Sequence, residues 1–403
     1  MLRKRMSWAK SFLLACVAAN ALAAGEKPLP TWPARLQRDI AALAKRSDGD
    51  IHLYVKELTS REEYGHNPFT PVYLASTIKV PVLLEVMRQV EAGTLKLDET
   101  LEYGPEDLRD GAGPVKRSPF GSKFPVHFLL DAMMGDSDNG ATDLLMKRVG
   151  VAAVNEGLQK RGLQFGPITT LLDVRKRVYA FISPEANALT AKQIFDLWLT
   201  KPFDTRARKL GKMLNTKKPV TGKDLNAAFE AYYASNLNSA AMTEMGRLLE
   251  QLFRCEGLSV NSCALAQALM KACRTGGTRI RAGLPEDVVW AHKTGTQHKR
   301  ACDVGLLFPT PDHTLVIAAC VSGHKSHTAG DKTLAAIGKA VWSALGVPAP
   351  VPLPDAKPSS DSGTTASSPA PAPAPAPTSA APAPTPTPPV VTPTSAESAA
   401  DAD

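Results

Sequence analysis

Aromatic side chains make up only 6% of this 403-residue chain, and no lysine–arginine stripe is interleaved with them. A formal charge of +8 therefore does not read as nucleic-acid binding, which needs stacking platforms beside the cations. A basic protein meeting anionic wall polymers fits that charge. After the first two dozen residues no apolar run is long enough to cross a bilayer. Histidine is scarce, with 8 in all. His324-x-x-His327 is half of a ligand pattern, but no carboxylate or cysteine stands at ligand spacing, so no metal and no cofactor is expected. Internal repeats are missing apart from the Pro-Ala runs at the C-terminal end.

The N-terminus has the features of an export signal. Arg3, Lys4, Arg5 and Lys10 supply charge, Ser11 to Ala19 a short apolar core, and Ala21-Leu22-Ala23 a small-x-small cleavage site. Residues 1–23 are expected to be removed, with Ala24 the alternative last residue of the leader. Leu13-Leu14-Ala15-Cys16 loosely resembles a lipoprotein box, but it leaves too short an apolar core and ranks second. The mature protein is expected in the periplasm or secreted, as a monomer. Residues 348–403 hold about half of the 33 prolines, among Ala, Ser and Thr. Such a segment buries no core and is expected to be a disordered spacer, tether or dispensable tail.

Five cysteines follow the leader. Cys255 and Cys263 bracket a short loop, and Cys273 lies between the two groups. Cys302 and Cys320 fall on two expected strands either side of Thr310-Pro311-Asp312. A hairpin turning there sets them opposite each other, and a cross-strand bridge is predicted in an oxidising compartment.

The domain proper is expected over 24–347. Leu36, Ile40 and Leu43 are spaced as one helix face, and Ile51, Leu53 and Val55 alternate as a half-buried strand. Helical patterns then dominate from about 95 to 285. Val288 to Ala291, Cys302 to Phe308 and Thr314 to Val321 read as three strands, and Thr328 to Leu345 as a closing helix. Strands at both ends around a helical middle imply an α+β fold. Its antiparallel sheet is flanked by terminal helices, with an inserted all-helical lobe and a cleft between them.

Ala75-Ser76-Thr77-Ile78-Lys79-Val80-Pro81 opens an apolar helix. Ser76 and Lys79 are three apart and share one face of its first turn. A buried lysine has a lowered pKa and is a plausible base for the hydroxyl. Taken alone, Ser76 or Thr77 reads equally as a helix cap. Two further clusters decide between these. Ser137-Asp138-Asn139 precedes a short helix, and Lys293-Thr294-Gly295-Thr296 sits on the first C-terminal strand. With these three motifs in this order, the chain resembles the class A β-lactamases and their penicillin-binding relatives from about Leu36 to Leu345.

The resemblance implies an acyl-enzyme mechanism. Ser76 is the nucleophile, Lys79 its base, Ser137 the proton donor to the leaving nitrogen, and Lys293 the cation supporting that transfer. Asn139, Thr294, Gly295 and Thr296 are the substrate-binding residues, and the Ser76 and Thr296 N–H groups the oxyanion hole. The partner is a β-lactam or a peptidoglycan stem peptide. Class A enzymes also carry a Glu-x-x-Leu-Asn segment whose glutamate activates the deacylating water. The corresponding stretch, Thr169 to Val178, lacks it and has Arg175, Lys176 and Arg177 instead. Asp143 stands where class A enzymes usually have asparagine. The chain between Ser137 and Lys293 is about fifty residues longer than in typical members, with the insertion placed at about 173–235. Glu185 and Asp173 are the nearest acids, and Glu185 reads first as a surface turn residue. A β-lactamase-like hydrolase is the leading expectation. A D-Ala-D-Ala peptidase, or a sensor that stays acylated, is the alternative.

Overall fold

The computed structural model describes residues 31–346. The leader and the proline-rich tail lie outside them. In chain order the elements are α1 (Trp32–Ala44), β1 (Asp50–Glu57), β2 (Glu63–His66), β3 (Val72–Tyr73), α2 (Lys79–Glu91), β4 (Thr100–Glu102), β5 (Lys123–Pro125), α3 (Val126–Gly135), α4 (Asn139–Val149), α5 (Val151–Lys160) and α6 (Leu171–Ala180). There follow α7 (Ala191–Trp198), α8 (Phe203–Met213), α9 (Gly222–Ala234), β6 (Ser239–Ala240), α10 (Met242–Phe253), α11 (Val260–Lys271), β7 (Val289–Gln297), β8 (Arg300–Thr310), β9 (His313–Ser322) and α12 (His327–Leu345). The main sheet is antiparallel in the order β2-β1-β9-β8-β7, which makes β7 an edge strand.

Residues on alternate sides of each strand serve two different cores. Ile51, Leu53 and Val55 of β1 join Ile317, Ala319 and Val321 of β9 beneath α1 and α12. Tyr54, Val304, Leu306, Val316 and Ala318 face the helical lobe. The alternation in β1 therefore does not mark a half-buried strand. His52 and Tyr54, the residues between the aliphatic ones, are buried as well. Gly246 of α10 explains part of this, because a Cβ there would lie 2.3 Å from the Tyr54 ring. A two-layer cover on one sheet yields strands that are apolar on both sides.

Cys302 and Cys320 are direct register partners on β8 and β9 and form a disulfide, as predicted; Cys255 and Cys263 form a second. The Cys302–Cys320 loop spans 18 residues. Loop-closure entropy for such a span amounts to about 3 kcal/mol. The Cys302→Ala, Cys320→Ala double variant should lose about that much stability in urea titration, and an unchanged midpoint would mean the bridge does not form.

The lobe packs on α2, which is buried from Lys79 through Met87. Its apolar residues run nearly all round the helix, as a central helix requires. Residues 171–234 add α6 to α9, which fold back on the sheet rather than away from it. Tyr73 packs on Tyr233 with ring centroids 4.8 Å apart and planes tilted by 32°, and meets Tyr232 edge-on at 5.7 Å. Tyr233 Oη donates to the His298 carbonyl at 2.9 Å, and Arg300 pairs with Glu230 at 2.7 Å. These helices thus dock on the turn between β7 and β8, three residues upstream of Ser76 on one side and next to Gln297 on the other.

Candidate active site

Ser76 does not open a regular helix. It lies in a tight 3-10 turn, Ala75–Ile78, and α2 begins at Lys79. Ala75 has φ +49°, a left-handed conformation that an alanine adopts only at a cost. The turn is held by Thr77 Oγ1 donating to the Leu74 carbonyl at 2.8 Å and by Leu74 N–H donating to Asn238 O at 2.9 Å. Pro81 is the third residue of α2, where its missing N–H leaves no intrahelical bond unmade. From Val72 through Met87 every residue is buried except Ser76, which is partly exposed. The fold spends a strained residue to present one hydroxyl.

Ser137 is the second strained residue, with φ +61°. It precedes α4, whose cap Asp138 accepts from Ala141 N–H at 2.9 Å and from Val115 N–H at 2.8 Å. The cap ties the Ser137 loop to the segment at 115 and aims Ser137 inward. Lys79 Nζ donates to the Ser137 carbonyl at 2.6 Å, to Ser137 Oγ at 3.1 Å and to Asn139 Oδ1 at 2.8 Å. Lys293 Nζ reaches the same Ser137 Oγ at 3.0 Å and the Thr294 carbonyl at 3.0 Å. One hydroxyl therefore bridges two fully buried lysines. With both lone pairs occupied, its own proton is the one left to give.

The two amines are not equivalent. Burial pushes Lys79 well below its ordinary value, and the neighbouring Lys293 charge pushes the same way. Burial also lowers Lys293, but a nearby Cys273 anion works against it. Separated titration of paired groups is how a site assigns a base and a cation. Lys79 is the better base and Lys293 the better cation.

β7 presents Thr294 and Thr296 beside this cluster. Thr294 Oγ1 lies 2.5 Å from Thr275 Oγ1. Thr296 Oγ1 accepts from Arg279 at 2.6 Å, and the same guanidinium holds the Gly295 and Cys302 carbonyls at 2.9 Å and Asp331 at 2.8 Å. Arg279 gives no motif in the sequence. Its role follows only from these bonds to β7 and β8, made from just before the turn Ile280–Gly283. Gly295 turns toward the protein: a Cβ there would fall 2.6 Å from Leu74 O, 3.0 Å from Ser76 N and 3.1 Å from Ala75 Cβ. The glycine lets the edge strand lie against the serine turn.

Asn139 is engaged at both ends of its amide, with Oδ1 on Lys79 and Nδ2 donating to Asp110 O at 2.9 Å. The same Nδ2 lies 3.4 Å from Asp110 Oδ1. Beyond it the buried Arg175 of α6 donates to Asp110 at 2.5 Å and to Gln297 Oε1 at 3.0 Å. Asp143 pairs with Arg109 at 2.5 Å and accepts from Leu171 and Leu172 N–H at 2.8 and 3.1 Å, holding the start of α6. Both carboxylates are thereby committed to arginines. Asp173 gives only its backbone N–H to the cap of α6, bonded to Thr170 Oγ1 at 3.1 Å. Glu185 is exposed and bonded to Ser183.

The model of the beta-lactamase enzyme family matches residues 35–345 of this chain. Beta-lactamase VEB-1 of Pseudomonas aeruginosa is 22% identical over 281 residues, 67% of this chain and 77% of that protein. A beta-lactamase of Amycolatopsis lactamdurans is 24% identical over 327 residues, 80% of this chain and 89% of that one. Among solved structures, the L158E mutant of PBP-A, an acyl-enzyme complex with penicillin G, superimposes with a TM-score of 0.59 at 20% identity. It covers 80% of this chain and 99% of its own. The class A β-lactamase described as the last common ancestor of Gram-negative bacteria gives 0.59 at 24% identity, covering 77% of this chain and 99% of its own.

Proposed function

Because the chain belongs to the beta-lactamase enzyme family, a family of serine hydrolases, we propose that Ser76 is its nucleophile and that β-lactam amides acylate it. The observation that carries this reading is the Ser137 hydroxyl bridging Lys79 and Lys293 at 3.1 and 3.0 Å beside a solitary partly exposed serine. Lys79 takes the Ser76 proton as the hydroxyl oxygen attacks the carbonyl. Ser137 delivers a proton to the departing nitrogen, and Lys293 with Thr294 and Thr296 holds a substrate carboxylate. The leader pattern and the two disulfides support an exported protein in the cell envelope.

A second reading concerns the rate at which the acyl group leaves. Class A deacylation uses a carboxylate free to accept a proton from water. Asp110 and Asp143 are neutralised by Arg175 and Arg109, and α6 contributes the cation of one pair. This favours a slowly deacylating penicillin-binding protein, of which D-Ala-D-Ala peptides would be the natural substrate class. Intact-mass spectrometry with benzylpenicillin separates the two. We expect one adduct that persists for hours. Its loss within seconds, with hydrolysed product accumulating, would establish a working β-lactamase and overturn slow release. Because the neutral amine is the base, acylation should quicken as pH rises through a midpoint well below the ordinary lysine value of 10.5. A rate that falls with pH over that window would remove Lys79 from the role.

A further inference from the structure

The net positive charge of this chain is concentrated in one stretch. Between Asp196 and Asp224 stand 8 lysines and arginines and one acidic residue, Asp204. Outside these 27 residues the chain is nearly balanced, with 39 basic residues against 38 acidic ones, so the stretch supplies 7 of the net +8. It runs from the end of α7 through α8 to the first turn of α9. α8 buries Ala207, Leu210 and Gly211, and its Phe203 stacks on His298 at 4.6 Å, so that side faces the turn between β7 and β8. Asp204, Arg208 and Lys212, four apart, are exposed along the other side. Lys217 and Lys218 are exposed in the loop that follows, and Lys223 in α9. Asp204 Oδ1 accepts from Gly222 N–H at 2.9 Å, which brings the start of α9 beside that of α8. Arg208, Lys212, Lys217, Lys218 and Lys223 form no ion pair with a carboxylate among the described residues. The Lys209 amine caps the end of α7, 3.0 Å from Asp196 O and 3.1 Å from Thr200 Oγ1. Leu199, the residue before Thr200, is 57% exposed. A large apolar side chain thus stands in water at the edge of the cationic face.

We propose that this face docks the protein on an anionic phospholipid bilayer, with the cations against headgroup phosphates and Leu199 at the boundary of the acyl chains. Surface association needs both components. Each lysine or arginine near an anionic leaflet adds its own attraction, which falls off within a Debye length. An apolar side chain among them adds burial that salt does not screen. A soluble polyanion would use the charges but leave Leu199 in water. With 11 residues, α8 is too short to span a bilayer and lies along its surface. The contact asks nothing of Ser76.

The test is co-sedimentation of the chain from Ala24 onward, free of the charged leader, with vesicles of phosphatidylglycerol and phosphatidylcholine in equal parts. Vesicles of phosphatidylcholine alone are the comparison. The protein should pellet with the first and stay in solution with the second. Its binding should fall roughly tenfold or more as salt rises from about 0.05 to about 0.3 M. The Lys212→Glu, Lys217→Glu, Lys218→Glu variant should bind the anionic vesicles roughly tenfold or more weakly. The Lys96→Glu, Lys332→Glu, Lys339→Glu variant loses as much charge from exposed positions elsewhere and should bind within about twofold of the unmutated chain. Leu199→Ser should weaken binding roughly fivefold, by the same factor at both salt concentrations. All these positions are exposed, so melting temperatures should hold, and Ser76→Ala should bind like the unmutated chain. Equal losses in the two triple variants would overturn this face in favour of net charge alone. No binding to the anionic vesicles, or equal binding to phosphatidylcholine alone, would overturn the electrostatic contact. Unaltered binding of Leu199→Ser, or capture by long-chain polyphosphate without binding to vesicles, would overturn the bilayer as the partner.

Discussion

Ser76→Ala should take no covalent label from a fluorescent penicillin, under conditions where the unmutated chain is fully labelled, while its melting temperature barely moves. Both halves follow from the turn. Thr77 and the Leu74 backbone, not the Ser76 side chain, hold Ala75–Ile78 in place. Ser76 alone between 72 and 87 is not buried, and substitutions at such positions usually change stability by less than about 0.5 kcal/mol. The Lys79–Ser137–Lys293 bridge stays intact without it. The acyl bond, by contrast, has no other oxygen to form on: the Ser137 hydroxyl has both lone pairs engaged by the Nζ groups of Lys79 and Lys293. Residual labelling would have to be mapped to a residue, and its appearance on Ser137 would exchange the roles of the two serines. Ser137→Ala should still label, but about 10²–10⁴-fold more slowly, the range for a lost proton donor.

The grouping of the candidate site was legible in the sequence because it sits in three short motifs, each carrying its own spacing. Ser76 and Lys79 share a turn, Ser137 and Asn139 flank a cap, and Lys293 to Thr296 run along one strand. Local pattern likewise marked β1, β7, β8 and β9, and the hairpin register placed Cys302 opposite Cys320. What pattern could not reveal depends on contacts between distant segments. Tyr54 looks like the polar side of a strand until α10 meets it at Gly246. Arg175 reads as one of three basic residues on a helix, yet its burial against Asp110 and Gln297 depends on how α6 meets β7. Arg279 has no neighbour in sequence to announce that it grips Thr296. The turn at Ser76 looks helical because its residues are apolar, while the left-handed Ala75 is imposed by the strand lying across it.

The same contact makes Gly295→Ala the second change with a large expected effect. Read from sequence, a glycine after Lys293-Thr294 leaves room for a ligand against a strand edge. The structure fills that room with the protein itself. An added methyl would meet Leu74 O at 2.6 Å and Ser76 N at 3.0 Å, both backbone atoms that no rotamer change can move. Either β7 shifts outward or the 74–76 turn yields. Both alternatives alter the distance between Ser76 and the Lys293–Ser137 pair. Overpacking of this kind costs about 1–3 kcal/mol, so melting should drop by a few degrees. The kinetic effect should be larger, because a misplacement of about 1 Å at a reacting centre costs on the order of 10²-fold in rate. Gly277→Ala is the matched control: nothing lies within 4 Å of its added carbon, and it should acylate like the unmutated chain. If Gly295→Ala labels at the unmutated rate, the edge strand does not press on the serine turn, and the glycine serves the ligand after all. If it labels slowly but melts normally, the turn moved while the sheet held. The rigid partner is then β7, fixed from behind by Arg279 through the Gly295 and Cys302 carbonyls.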